Sequence, residues 1–209
     1  MNAKATSPRS AAAAPKRPAR PRAGQSHEIR IIGGLWKRTK LKVADKPGLR
    51  PTPDRVRETV FNWLGQDMTG LRCLDAFAGT GALGFEAASR GAKDVLIIEQ
   101  DGALIEQLKK TQAQLEANAV HVQRGDGVAA IRQAAPGSLD VIFIDPPFDA
   151  PLFEPALGAC ARALAPEGWV YLESPTAYTD ETLSAVGLSV HRHLKAGAVH
   201  AHLLKHTAA

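Results

Sequence analysis

Asp145-Pro146-Pro147-Phe148 closes the hydrophobic run Leu139-Asp140-Val141-Ile142-Phe143-Ile144, and its residue types suit chemistry on an amino group. Two successive prolines donate no backbone hydrogen bond and cannot continue a central strand. They hold the chain extended and leave its carbonyls free to accept. A carboxylate stands before them and an aromatic ring after them. The segment therefore offers acceptors for an exocyclic NH2 group and a flat face for a base, as an enzyme working on a flipped nucleobase requires.

A second constellation lies upstream. Arg72-Cys73-Leu74-Asp75-Ala76 reads as a short apolar strand running into Phe77-Ala78-Gly79-Thr80-Gly81-Ala82-Leu83-Gly84, after which a helical pattern begins. Gly79 and Gly81 allow a tight turn and close approach of a ligand; Gly84 allows the helix to pack on the strand. The next strand, Val95-Leu96-Ile97-Ile98, ends in Glu99. An acid about twenty positions past such a loop is where nucleoside-binding α/β folds hold a ribose diol. Asp126, after the strand His121-Val122-Gln123, is placed to accept from an adenine amino group, with the Gly127 N–H beside it. A dinucleotide site aims its loop at a pyrophosphate, which Asp75 would repel. Asp75 suits the sulfonium and amino group of S-adenosylmethionine better, and the loop resembles the first motif of Class I S-adenosylmethionine-dependent methyltransferases. A methyltransferase is favoured over a nicotinamide oxidoreductase. Chemistry at an amino group does not by itself name the acceptor: guanine N2, adenine N6, cytosine N4 and protein glutamine all remain open.

With these motifs in place, the chain resembles the RsmD family of bacterial ribosomal RNA methyltransferases from about Arg30 to the C-terminus. The resemblance is carried by Arg30-Ile31-Ile32-Gly33-Gly34-Leu35-Trp36, Lys40-Leu41, Gly48-Leu49-Arg50-Pro51-Thr52, Asp54-Arg55-Val56-Arg57-Glu58 and Phe61-Asn62-Trp63-Leu64, besides the two site motifs. It departs at Lys37-Arg38-Thr39, where the family is richer in Arg and Gly, and the first 27 residues have no family counterpart. It implies methyl transfer from S-adenosylmethionine to N2 of a guanine in 16S ribosomal RNA, within a small-subunit assembly intermediate. It further implies a cytoplasmic monomer with no metal, and a Rossmann-like sheet of seven mostly parallel strands ordered 3-2-1-4-5-7-6, strand 7 antiparallel. Asp145, Pro146, Pro147 and Phe148 would then be catalytic, and Asp75, Phe77, Gly79, Gly81, Glu99, Asp126 and Gly127 would hold the cofactor. Arg30, Lys37, Arg38, Arg50, Thr52 and Arg55 would contact RNA. A non-catalytic RNA-binding assembly factor is the alternative of a different class; it would not need both the cofactor loop and the amino-acceptor motif.

The elements that must position these groups follow from patterning. At 209 residues and 44% hydrophobic, the chain can bury one sizeable core. Residues 1–27 carry a balance of +6 and read as a disordered basic arm, rich in Ala, Pro and Arg. Residues 28–57 also carry +6, whereas residues 58–209 carry −7, so positive charge is concentrated at the N-terminal end. That asymmetry suits docking on a phosphate backbone. No membrane-length apolar stretch is present, and Cys73 and Cys160 read as buried thiols. The methyltransferase domain is expected over 28–209, with an N-terminal extension over 28–66.

Within the extension, Glu28 to Ala44 reads as a β-hairpin turned near Gly33-Gly34. Thr52 reads as the N-cap of a helix with Pro53 at its first position. Val56, Val60, Trp63 and Leu64 form its apolar stripe, leaving Arg55, Arg57, Glu58 and Asn62 for the site or for RNA. Trp36 and Trp63 are assigned to core packing. Strands are expected near 71–75, 95–99, 120–123, 139–144 and 168–173, alternating with helices in a parallel, doubly wound pattern. A short helix near 180–186 and a terminal hairpin, 188–195 and 198–204, complete the chain. His191, His193, His200 and His202 alternate along that hairpin and read as strand-face residues.

Overall fold

The computed structural model describes residues 28–43, 46, 49 and 52–207. The basic arm, the end of the expected hairpin at Ala44, and Arg50 lie outside the described residues. The elements in chain order are β1 (Glu28–Arg30), β2 (Lys40–Lys42), α1 (Asp54–Trp63), β3 (Arg72–Asp75) and α2 (Ala82–Ser89). Then follow β4 (Asp94–Glu99), α3 (Gly102–Gln114), β5 (Val120–Arg124), α4 (Gly127–Gln133), β6 (Leu139–Ile144) and α5 (Phe153–Ala163). The chain closes with β7 (Leu164–Ser174), α6 (Asp180–Ser184), β8 (Leu188–Ala196) and β9 (Val199–His206).

The main sheet has the order β5-β4-β3-β6-β7-β9-β8. Counting from β3 as the first strand, this is the expected 3-2-1-4-5-7-6. β3 to β7 run parallel, and β9 is antiparallel to both β7 and β8. The central strands are apolar on both sides because both faces are covered, as parallel sheets require. One face packs Cys73, Val141, Phe143, Tyr171 and Ala201 under Val56, Val60 and Phe61 of α1 and Phe85 of α2. The other packs Leu74, Ile142, Ile144, Val170 and Leu172 against Ile131 of α4 and Leu157 and Cys160 of α5. Both cysteines are buried and free. Among the described residues, no helix is long and apolar enough to cross a membrane.

The N-terminal hairpin exists, but its ladder is short and its connection long. β1 and β2 pair over Glu28↔Lys42, Ile29↔Leu41 and Arg30↔Lys40, and the turn runs through residues 31–39. Gly34 (φ 74°) lies in that connection rather than forming a two-residue turn, because the loop docks on the C-terminal end of α2. The Leu35 N–H donates to the Ser89 carbonyl at 2.6 Å, and a Cβ on Gly34 would fall 1.8 Å from that same oxygen. The stripe of α1 is also shifted from expectation. Val56, Arg57, Val60 and Phe61 are buried, while Trp63 sits half-buried at the margin; Trp36 is half-buried and packs on the core.

Arg57 corrects the reading that it is available to RNA. Its side chain is 0% exposed, and it donates to Glu86 Oε2 (3.3 Å), Asp54 Oδ1 (2.6 Å), the Arg30 carbonyl (2.9 Å) and the Thr52 carbonyl (3.2 Å). Glu86, equally buried, also accepts from the Ile32 and Gly33 N–H groups, each at 2.8 Å, and from Arg90 at 2.9 Å. A buried ion pair persists only when its remaining donors and acceptors are satisfied. Here they are satisfied by the hairpin loop, α1 and α2 together, so the network clamps the extension to the sheet.

Candidate active site

The carboxyl ends of β3, β4, β5, β6 and β7 carry, in turn, Asp75, Glu99, the Asp126 turn, Asp145 and Glu173. Ligands of open α/β sheets bind at this edge. Strand register explains why three of these acids meet. Asp75 pairs with Phe143, and Phe143 with Tyr171, so these three stand side by side on one face. Alternation then returns Asp145 and Glu173 to that face one pleat further on.

Asp75 is 2% exposed, and its Oδ2 accepts the Gly84 N–H at 2.9 Å. Gly84 is the third residue of α2, whose own N-cap, Gly81, has no side chain to cap with. Asp75 therefore caps α2 from beneath the glycine loop. The carboxylate is thus buried beneath the loop, at the edge where the cofactor was expected, and shapes that loop through the Gly84 N–H. Burial, and the nearby charge of Glu99, push its carboxyl up to about 7. Gly79 (φ 52°) and Gly81 (φ 75°) take left-handed conformations that side chains disfavour. A Cβ on Gly81 would stand 2.5 Å from Leu108, so packing as well as conformation requires glycine there.

Glu99 is half-buried, accepting the Gly79 N–H at 2.9 Å and the Asp101 N–H at 2.8 Å. Asp126 is exposed and caps α4 through the Ala129 N–H at 2.7 Å. Gly127 is buried; a Cβ there would meet the Ala76 carbonyl at 2.1 Å and the Phe77 ring at 3.0 Å. The β5–α4 turn thus lies directly on the β3–α2 loop, and the predicted cofactor residues form one continuous edge.

Asp145 is half-buried, Pro146 buried, and Pro147 and Phe148 exposed. Among the described residues no backbone N–H donates to the Pro146 carbonyl. The Phe148 ring is 40% exposed and braced by Phe153, with centroids 6.2 Å apart. Burial, then the charges of Glu173 and Asp75, hold the Asp145 carboxyl well above the usual carboxylate range, opposed by the Thr52 hydroxyl. Glu173 is pushed up by burial, opposed by the Tyr171 hydroxyl, which donates to it at 2.8 Å, and by the nearby Thr52 hydroxyl.

Thr52 is where expectation and structure differ most usefully. It does not cap α1: the N-cap is Pro53, with no side-chain bond. Its hydroxyl turns inward and donates to Asp145 Oδ2 at 3.4 Å. Two described residues ahead of it touch the same edge. Lys46 pairs with Asp101 just past β4, and Leu49 lies 3.2 Å from where a Cβ on Gly79 would stand. The extension thereby reaches the site through Lys46, Leu49 and Thr52.

The basic residues do not gather in one place. Arg30 is exposed and pairs with Asp54 at 3.3 Å, and Arg55 is exposed on the first turn of α1. Lys37 and Arg38 (φ 71°) are exposed in the loop docked on the far end of α2. Eight helical residues, about 12 Å, separate that loop from the glycine turn. A groove of ≈ 730 Å³ lined by Gly33, Lys37, Asn62, Gln66 and Arg90 opens there, at the end of the sheet opposite the acids. The terminal histidines stack: His193 and His202 have centroids 4.6 Å apart, and His193 Nε2 lies 2.9 Å from His200 Nδ1.

Glu173 and Tyr171 escaped sequence reasoning. The available signal was an acid ending the apolar strand Val170-Tyr171-Leu172, the same signal that marked Asp75, Glu99 and Asp145. Asp75, Asp145 and Glu173 are all raised by burial, and Asp145 also by the charges of Glu173 and Asp75, so this edge is short of positive charge and suits a cationic ligand. The Glu99 and Asp126 carboxylates fit its hydroxyl and amino donors.

Comparisons with known proteins agree with this architecture. The family described as Conserved hypothetical protein 95 matches residues 29–205. Ribosomal RNA small subunit methyltransferase D of Escherichia coli (strain K12) is 42% identical over 182 residues, 86% of this chain and 91% of that protein. The protein of the same name from Haemophilus influenzae is 42% identical over 152 residues, 70% of this chain and 79% of its own. The solved structure of Escherichia coli yhhF superposes with a TM-score of 0.73 at 40% identity, covering 88% of this chain and all (100%) of that one.

Proposed function

The chain belongs to the Conserved hypothetical protein 95 family, and on that premise we propose that it methylates an exocyclic amino group of small-subunit ribosomal RNA, with guanine N2 as acceptor and S-adenosylmethionine as donor. The observation that carries this reading is the juxtaposition of Asp145 and the exposed Phe148 with the glycine loop over Asp75. S-adenosylmethionine, when bound, supplies an electrophilic methyl group on a cationic sulfur. Gly79, Gly81, Glu99, Asp126 and Gly127 would hold it, while Asp75 keeps the loop in shape. The substrate implies work in the cytoplasm on RNA within an assembling subunit; the N-terminal signature is the reason for preferring guanine.

The amino group is a poor nucleophile because its lone pair is delocalised into the ring. Stacking on Phe148 fixes the plane of the base. Asp145 and the Pro146 carbonyl accept the two amino hydrogens, which draws the nitrogen toward a tetrahedral shape and turns its lone pair outward. Orientation and charge stabilisation supply most of the acceleration. Arg30, Arg55 and, further out, Lys37 and Arg38 would contact phosphates. Replacing Asp145 with Ala tests this division of labour: cofactor affinity should hold within about threefold while turnover falls at least 100-fold. Near-normal turnover would refute the role given to Asp145.

A further inference from the structure

We propose that Glu173 is a positioning residue for the methyl transfer: its carboxylate, held by Tyr171, faces Asp145 and makes it the stronger acceptor for the amino proton. This rests on the amino-group reading above. The placement is built into the sheet. Ile144, the last residue of β6, pairs with Leu172, which brings Asp145 just beyond it level with Glu173, and the Glu173 charge acts on the Asp145 carboxyl. Glu173 is 4% exposed, and the Tyr171 hydroxyl, itself fully buried, donates to its Oε1 at 2.8 Å. Nothing in packing requires a carboxylate there; a buried acid that serves only to fill space costs stability.

Between the two acids stands Thr52, donating to Asp145 and close enough to Glu173 to favour its charged form. Among the described residues, the other charged groups packed around this pair come from neighbouring strands and from α1. From β3, Asp75 adds negative charge, with Glu99 of β4 behind it. From α1, Arg57 reaches the Thr52 carbonyl but spends its other donors on Glu86, Asp54 and Arg30. From β9, Ala201 lies opposite Glu173, and the flanking His200 and His202 point to the other face.

The step balances simply. The amino nitrogen gains the methyl group, the donor sulfur keeps the electron pair of the broken S–C bond, and the nitrogen's extra proton passes to Asp145. A carboxylate beside another carboxylate binds that proton more readily than one alone. After transfer, the proton leaves to water as the product departs.

The test is Glu173→Gln in the full chain, with Tyr171→Phe as the milder variant. Two readings are needed: an NMR titration of the Asp145 carboxyl without substrate, and the pH dependence of kcat. Removing the Glu173 charge should lower the Asp145 midpoint by about one pH unit or more. The acidic limb of the kcat profile should move down with it, because Asp145 then stays ionised to lower pH. Turnover near neutrality should fall roughly tenfold, with KM for RNA and cofactor affinity unchanged. Tyr171→Phe should act in the same direction and more weakly. A purely structural role would change unfolding but leave midpoint and limb in place, and that result overturns the proposal. An unmoved midpoint in an active enzyme defeats the role of Glu173 alone. A wild-type enzyme that methylates no amino group defeats the functional reading, and this role with it, whatever the titration shows.

Discussion

At the scale of single residues, the site is an arrangement of acids whose positions have costs. Asp75 is sealed under the glycine loop with its carboxyl raised to about 7, above the ordinary value near 4. The folded chain therefore retains a proton that the unfolded chain releases between those limits. Stability from this group is present below about pH 4 and is lost as pH rises toward 7. Asn at position 75 keeps an acceptor for the Gly84 N–H and does not titrate. Relative to wild type, Asp75→Asn should gain about 2.5 kcal/mol in urea unfolding between pH 5 and pH 8; a difference independent of pH would contradict the assignment. Asp75, Asp145 and Glu99 were legible in the sequence because each ends an apolar strand, Asp75 ahead of the glycine loop, Asp145 ahead of two prolines and Glu99 about twenty positions past that loop. Glu173 ends an equally apolar strand, but its meaning depends on β7 lying next to β6, which is a tertiary fact. Thr52 was legible as a helix-start residue, yet its hydroxyl serves Asp145, 93 residues away, in preference to the nearby backbone.

At the scale of elements, patterning located every strand of the main sheet: the buried parallel strands leave apolar runs between turns, and the antiparallel β8 and β9 flank the Ala196-Gly197 turn. The extension was harder to read. Its hairpin ladder has only three residue pairs, and its shape comes from docking on Ser89 and Glu86 of α2. Arg57 looked like a surface charge because helical spacing alone does not reveal a buried partner on another helix. The Arg57–Glu86 clamp carries a prediction. Arg57→Ala leaves Glu86 buried with its paired charge removed, and this should cost about 3–5 kcal/mol of stability. Because Arg57 also holds the Thr52 carbonyl, activity should fall even at temperatures where the variant stays folded. Paired urea melts and turnover measurements check both; a loss below about 1 kcal/mol would mean the clamp is dispensable.

At the scale of the whole molecule, charge and chemistry are separated along the chain. The first 57 residues carry all the excess positive charge, and the remainder is acidic. The extension joins the two by clamping onto α2 at one end and reaching Asp145 through Thr52 at the other. That layout suits an enzyme that grips a polyanion with one part and presents a single base to another. Much of this division was visible in composition; how the basic part is tied to the acids required the structure.

The central claim is methyl transfer to a guanine amino group in small-subunit RNA. It is tested most directly by incubating the protein and labelled S-adenosylmethionine with small ribosomal subunits from cells lacking it, followed by nucleoside analysis. Label recovered as N2-methylguanosine at a single site is the predicted result. Label on adenosine or cytidine, or none on subunits and free RNA despite cofactor binding, would contradict it.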